Sequence, residues 1–284
     1  MAHTHPLPMI GFIGAGHLNG AIIKGILDNE DSIFGAEQLL VSCKDPAKAK
    51  VRSEAFALPV HTDNRHVIEK ADYLVLGVKP AQMQVLLQEL AEYDLSEKTI
   101  ITVAAAIDIA SYRKILGDEV CIIRAMPNMA AAVQASLTGI YSDQELDEDC
   151  EHIIEDLFAG VGSIAWLDDE TQIDGIIALS ASGIAFYFRF MQAMREAGER
   201  YGFEGEELFD IISLSSLGAS TLMVDNPEGG KFSDWIEKIA LKGGTTEAGL
   251  KQMDNSDFDR IIADAMQATV ERSRAIGEEL TKDW

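Results

Sequence analysis

An apolar run, Met9-Ile-Gly-Phe-Ile13, meets Gly14-Ala15-Gly16 without a spacer, and apolar positions at helical spacing follow at Leu18, Ile22, Ile23, Ile26 and Leu27. That order reads as strand, tight turn and helix, and few folds accommodate it. Gly14 supplies the backbone conformation of the turn, and Gly16 lets a pyrophosphate approach the main chain. The unpaired N–H groups at the helix start favour its negative charge. The pattern is a dinucleotide-binding fingerprint. Its third glycine is absent, because Asn19 holds that position and Gly20 comes one residue later. Helix packing on the strand must therefore differ from the usual arrangement.

The rest of the chain is consistent with a globular enzyme built around this turn. Its 284 residues suit one large or two ordinary domains, and 47% hydrophobic content is ample for a packed core. A formal net charge of -24 opposes binding to nucleic acid or to an anionic membrane surface, since both need basic patches. No uninterrupted apolar run reaches about eighteen residues, so no membrane span is expected. Residues 1–8 are short and polar for a signal peptide; they read as a flexible tail, with His3 and His5 in it, and the expected location is the cytoplasm. Cys43, Cys121 and Cys150 are odd in number and widely spaced, which indicates neither a disulfide framework nor a zinc site; no metal is expected.

Strand and helix patterns alternate to about residue 167. Gln38–Ser42 reads as the second strand, and its end is the place where the two nicotinamide dinucleotides are told apart. A free ribose hydroxyl calls for a carboxylate there, a 2′-phosphate for hydroxyl and cationic partners. Ser42 and Lys44 are of the second kind, and Lys48, Lys50 and Arg52 add positive charge, so NADPH is favoured with NADH as the alternative. The competing reading makes these lysines the solvated face of a helix, and Asp45 stands close by. Ala71–Val78 is a near-continuous apolar strand, as in a buried parallel sheet, and it stops at Lys79-Pro80, where the proline forces the chain to leave extended. Further strands are expected at 99–105, 120–125, 137–141 and 163–167. The fold class is α/β: a Rossmann-like doubly wound domain over 9–167, then an all-α domain over 168–284.

Helices are expected at about 170–202, 205–225, 230–240, 244–253 and 256–281. The segment Ile176–Phe190 is apolar nearly all round, and a helix of that kind must be buried on every side. A domain of this size does that only with help, so packing against a second subunit is expected. Phe186, Tyr187, Phe188 and Phe190 then belong to core or interface. Ser180-Ala-Ser182-Gly183 reads as a small-residue gap for close helix packing. Lys242-Gly243-Gly244-Thr245-Thr246 leaves two readings open. Its N–H groups and hydroxyls can form a turn that holds a carboxylate, or Thr245 or Thr246 can simply cap a helix.

Taken together these pieces resemble the Δ1-pyrroline-5-carboxylate reductases along nearly the whole chain. The residues that carry the resemblance are Gly14-x-Gly16, Ser42-x-Lys44, Asn64, Val78-Lys79-Pro80, Met126-Pro127-Asn128, Ala178–Gly183 and Gly243–Thr246, in matching order and spacing. The resemblance implies NAD(P)H-dependent reduction of a cyclic imine to L-proline. It also implies a helical domain that interlocks with its partner's in a homodimer, within a larger ring of dimers in many members. By carry-over Gly14, Gly16, His17, Leu18, Ser42, Lys44, Asn64, Val78, Lys79 and Pro80 lie along the cofactor. Thr246 would hydrogen-bond the substrate nitrogen, and the Gly243, Gly244 and Thr245 main chain would hold the substrate carboxylate, with Lys242 as an added contact. The departures cluster on the substrate side. Leu241-Lys242 replaces the family's Ser-Pro, Met129-Ala130 replaces Thr-Pro, Gln134 and Ser136 stand at glycine positions, and Ala181 and Ile184 replace a Gly and a Pro.

Three other functions compete with this reading. A 3-hydroxyacid dehydrogenase shares the two-domain plan but needs a lysine on the long helix after the first domain, and residues 170–202 contain Arg189, Arg195 and Arg200 and no lysine. A reductase of a different imine accommodates the departures. A regulatory protein would bind NADPH and turn over no imine.

Overall fold

The computed structural model describes residues 7–226 and 230–284; most of the expected N-terminal tail, with His3 and His5, lies outside them. The first part of the chain runs β1 (Ile10–Ile13), α1 (His17–Asp28), β2 (Leu39–Ser42), α2 (Pro46–Phe56), β3 (Val60–His61), α3 (Arg65–Lys70), β4 (Tyr73–Leu76) and α4 (Met83–Leu90). It continues through β5 (Thr99–Thr102), α5 (Ile109–Leu116), β6 (Cys121–Met126), β7 (Ser136–Ser142), α6 (Glu148–Ala159) and β8 (Gly162–Trp166). The strands form one sheet in the order β3-β2-β1-β4-β5-β6-β7-β8, parallel except where β6 meets β7. β1 pairs with β2 on one side and β4 on the other, in register from Ile10 opposite Leu39 and Tyr73. The order reverses at β1, so the carboxyl ends of β1 and β4 frame the crevice where open α/β sheets bind ligands.

Near-continuous apolar strands require cover on both faces, and two buried clusters provide it. One gathers Phe12, Ile22, Ile23, Val41, Val75, Ile123 and Phe158 under α1 and α6; the other gathers Ile13, Val67, Leu74, Leu86, Ile100 and Tyr112 under α3, α4 and α5. β1, β2, β4, β5 and β6 contribute alternate residues to the two clusters, as period-two side chains must. Tyr112 is fully buried, and its hydroxyl lies 2.5 Å from the Thr102 hydroxyl, which leaves neither group orphaned in the core. The two-residue β3 has no apolar run of its own, which is why the sequence gives no sign of it.

The second part is helical: α7 (Gln172–Ile176), α8 (Gly183–Gly198), α9 (Gly205–Val224), α10 (Phe232–Ile239), α11 (Thr245–Asn255) and α12 (Phe258–Thr281). The expected helix at 170–202 is interrupted by a π-helical turn over Ile177–Ala181, with the Ser182 N–H donating to the Ile177 carbonyl at 2.7 Å. Such turns widen a helix locally and are common at functional sites.

The chain divides into two compact units, but not at residue 167. One comprises the chain up to Ser182 together with Thr269–Trp284; the other is Gly183–Ala268. The physical reason lies in the contacts of the flanking segments. Ile173 and Ile177 pack with Met126, while Leu280 and Trp284 join the second core cluster, Trp284 edge-on to Tyr112 at 6.4 Å. In the unit Gly183–Ala268, Leu208 and Ile212 are the only large apolar side chains fully buried among the described residues. Tyr187, Phe188, Phe209, Leu214, Leu217 and Phe232 are all exposed. The helical segments Gln172–Tyr201 and Gly205–Val224 are also long and apolar enough, by length and composition alone, to cross a membrane, a feature that the count of uninterrupted apolar residues overlooked.

Replacing Tyr112 by Phe removes the hydroxyl pair but leaves the Thr102 oxygen accepting the Ala104 N–H at 3.3 Å, and should destabilise the protein by about 0.5–1.5 kcal/mol. Chemical denaturation checks this, and a loss near zero would show that the hydroxyl pair contributes nothing.

Candidate functional site

The turn after β1 is built as the fingerprint requires. Gly14 has φ of 90°, a left-handed conformation that L side chains rarely adopt, and a Cβ there would lie 3.0 Å from the Gly77 carbonyl oxygen. Gly16 differs. Its φ is −69° and an added Cβ would meet nothing closer than 3.8 Å, so the protein itself makes no demand for glycine there. The demand fits a ligand pressed against the main chain. Gly16 and His17 are exposed at the start of α1, whose first-turn N–H groups lack helical acceptors, and Leu18 is half-buried beside them. The cradle therefore suits the pyrophosphate of a dinucleotide.

Asn19 explains how the helix packs without the third glycine. It is 1% exposed, and its Nδ2 donates to the Gly14 carbonyl at 2.8 Å, tying the first helical turn to the turn before it. Gly77 makes the room: a Cβ there would lie 2.2 Å from Asn19 Nδ2. Asn19 is the residue at which the sequence indicates altered packing; Gly77 is the part it does not reveal, and the available signal is a glycine at the end of an apolar strand.

At the end of β2 the expected partners of a 2′-phosphate are found together, with a correction. Ser42 is fully buried and donates its hydroxyl to Asn64 Oδ1 at 2.9 Å. Because it belongs to the strand proper, its side chain faces inward, so it positions Asn64 and presents no hydroxyl at the surface. Asn64 in turn donates its Nδ2 to Glu89 at 3.1 Å, and exposed Lys44 forms an ion pair with the same Glu89 oxygen at 3.0 Å. Glu89, on α4, was not anticipated. Asp45, the caution raised by the sequence, accepts hydrogen bonds from the Ala47 and Lys48 N–H groups as the cap of α2. Val78 and Pro80 are half-buried and Lys79 is exposed where the chain leaves β4, on the crevice side of the sheet.

Two of the remaining motifs also meet. Asn128, after Met126-Pro127, donates its Nδ2 to the Ser180 hydroxyl at 2.7 Å, which joins the Met-Pro-Asn turn to the π-helical turn. Ser180 therefore does more than leave a gap for packing. Ser136 accepts the Asn128 N–H at 3.0 Å, and Gln134 takes a left-handed φ of 58°. An open groove of about 470 Å³ is lined by His17, Arg52, Phe56 and Gln134, among others.

The glycine turn before α11 lies in the other unit. Gly243 has φ of 78°, and its N–H donates to the Glu247 carboxylate at 2.8 Å, while the Gly244 N–H donates to the Leu241 carbonyl at 2.9 Å. The Gly243 N–H, then the Lys251 side chain, hold the Glu247 carboxyl below the usual carboxylate range. This corrects the expectation that Gly243 and Gly244 offer their N–H groups to a substrate carboxylate. Thr245 and Thr246 open α11 with exposed side chains, and no side chain caps the helix, so the reading of either threonine as N-cap fails. Their N–H groups remain the first-turn donors. Lys242 is exposed.

Comparison with known proteins agrees with this geometry along the whole chain. A curated pyrroline-5-carboxylate reductase of Pseudomonas aeruginosa is 32% identical over 277 residues, covering 96% of this chain and 98% of that protein. The chain belongs to the pyrroline-5-carboxylate reductase family. A second relative, from Haemophilus influenzae, is 32% identical over 268 residues, covering 94% of this chain and 96% of its own. A solved reductase from Coxiella burnetii superposes with a TM-score of 0.87 at 28% identity, covering 97% of this chain and 99% of that one. Residues 9–106 match the family described as NADP oxidoreductase, coenzyme F420-dependent, and residues 170–276 match pyrroline-5-carboxylate reductase dimerisation. Family membership gives the exposed apolar side chains of α8 and α9 a covering surface in a second copy of the chain, as the all-round apolar pattern had required.

The Asn19–Gly77 fit predicts an asymmetric response to substitution. Gly77→Ala should cost about 1–3 kcal/mol through the clash with Asn19, and adding Asn19→Ala should recover most of that loss. Thermal denaturation of the single and double variants decides it; equal losses in both would rule out the fit.

Proposed function

We propose that this protein is a pyrroline-5-carboxylate reductase, reducing the C=N bond of 1-pyrroline-5-carboxylate to give L-proline with NAD(P)H. The observation that carries the reading is the extent of the similarity. It spans 96% of the chain and so includes both the dinucleotide turn and the glycine–threonine turn before α11. A likeness confined to the first half would support cofactor binding alone.

When bound, NAD(P)H supplies the hydride that adds to the imine carbon. The main chain at Gly14, Gly16, His17 and Leu18 holds the pyrophosphate. Lys44 and Asn64 meet the adenosine ribose, with Ser42 acting through Asn64, and Val78, Lys79 and Pro80 border the crevice. The imine accepts hydride most readily as its iminium, which the substrate can bring already protonated. The N–H of that iminium donates to the Thr246 hydroxyl, which orients the C=N bond. The electron pair of the broken π bond ends on nitrogen, and the proton already there makes the product a secondary amine. No strong acid is needed. The substrate carboxylate is held by the Thr245 and Thr246 N–H groups with Lys242, while Glu247 fixes the Gly243 turn beneath them.

The working form is a homodimer through 170–276, within a larger ring of dimers. Its setting is the cytoplasm, without nucleic-acid or membrane partners. The net charge of -24 supports that setting, since an anionic surface repels both.

Two measurements test these assignments. Following NADPH and NADH absorbance on adding pyrroline-5-carboxylate, Thr246→Ala should lower kcat/KM on the order of ten- to a thousandfold with cofactor affinity unchanged, and Lys242→Ala should raise KM for the imine. Wild-type rates in both would remove these residues from the site. Separately, Gly16→Ala should weaken dinucleotide binding in a fluorescence titration while leaving Tm nearly unchanged. A drop in Tm with intact binding would contradict the ligand-driven reading of that glycine.

A further inference from the structure

The carboxylate that meets Lys44 and Asn64 at the end of β2 comes from α4. Rossmann-like folds commonly discriminate the dinucleotides at the end of β2, where a carboxylate accepts the ribose hydroxyls and a cation takes the 2′-phosphate. Here β2 is followed by Cys43 and Lys44, which offers a cation, and Asp45 is engaged by the N–H groups of its own helix. Glu89 supplies what that segment lacks. One of its oxygens, Oε2, lies 3.0 Å from Lys44 Nζ and accepts from Asn64 Nδ2 at 3.1 Å, and its side chain is 26% exposed. Asn64 is 2% exposed and is fixed on its other side by the Ser42 hydroxyl. The cation that a 2′-phosphate would seek is thus already paired with a carboxylate on a packed helix. A 2′-phosphate, carrying about −1.5 to −2 charges at neutral pH, approaches a pair whose net charge is near zero.

We propose that Glu89 is the residue that sets dinucleotide specificity: it offsets the preference for NADPH that Lys44 alone would impose, and it accepts the ribose hydroxyls of NADH. This rests on the reading of the β2 and β3 ends as the adenosine–ribose site. It acts by charge as well as by position, and the two have different signatures. Loss of positioning weakens both dinucleotides alike, whereas loss of charge moves their ratio.

The test is a fluorescence titration of the full-length protein with NADPH and with NADH. Wild type should bind the two within about tenfold of each other. Glu89→Gln, which keeps the shape and removes the charge, should shift the affinity ratio toward NADPH by on the order of tenfold or more, and Lys44→Ala should shift it toward NADH. An unmoved ratio in Glu89→Gln overturns the role of Glu89 while leaving the site in place. If Glu89→Gln does not fold, wild type decides: a preference for NADPH above roughly a hundredfold overturns the proposal. If wild type binds neither dinucleotide, the ribose-site reading fails and the proposal falls with it.

Discussion

The Gly14 turn holds three elements together through its own two backbone groups. Its N–H donates to the Ser42 carbonyl at 3.0 Å, and its carbonyl accepts the Asn19 side chain at 2.8 Å. The end of β2, the start of α1 and the exit from β1 are therefore fixed by a single residue in a left-handed conformation. Gly77 lets Asn19 into the gap, which brings the exit from β4 into the same arrangement. With these points fixed, the exposed N–H groups at the start of α1 face the crevice at the reversal of strand order without any further contact being needed.

Around that frame the charges are distributed against the overall balance of the chain. An acidic protein that binds a polyanion must concentrate its positive potential, and the helix start of α1, Lys44 and Arg52 do so. Glu89 pairs with Lys44 at 3.0 Å. At the other turn, Glu247 has the opposite position to a ligand: it occupies the Gly243 N–H itself and stiffens the loop. The start of α1 leaves its N–H groups exposed, whereas before α11 the Gly243 N–H is taken by an internal carboxylate, because the side chain four residues on is long enough to fold back.

The unit Gly183–Ala268 shows why association is built into this family's helical part. With Leu208 and Ile212 nearly alone in its interior, it has too little apolar burial of its own, and α8 and α9 present aromatic and aliphatic side chains outward. At about 25 cal/mol per Å² of apolar surface, covering such side chains is the main driving force available to it. The Gly243–Thr246 turn sits in this unit, where it is held by its own bonds to Glu247 and Leu241.

What the sequence determined by itself was whatever local backbone chemistry dictates. The strand–glycine–helix turn, the alternation of buried strands with amphipathic helices, the stop at Lys79-Pro80 and the all-helical character of the second half follow from periodicity, glycine and proline. Only the tertiary structure decided the rest, because it depends on pairs distant in the chain. Asn19 and Gly77, Asn128 and Ser180, and Lys44 and Glu89 are each separated by more than forty residues, and no local pattern couples them. The inward face of Ser42, the capture of Gly243 by Glu247 and the return of α12 to the first unit were likewise out of reach. A residue type states what a side chain can bond to, and only the fold states which partner has already reached it.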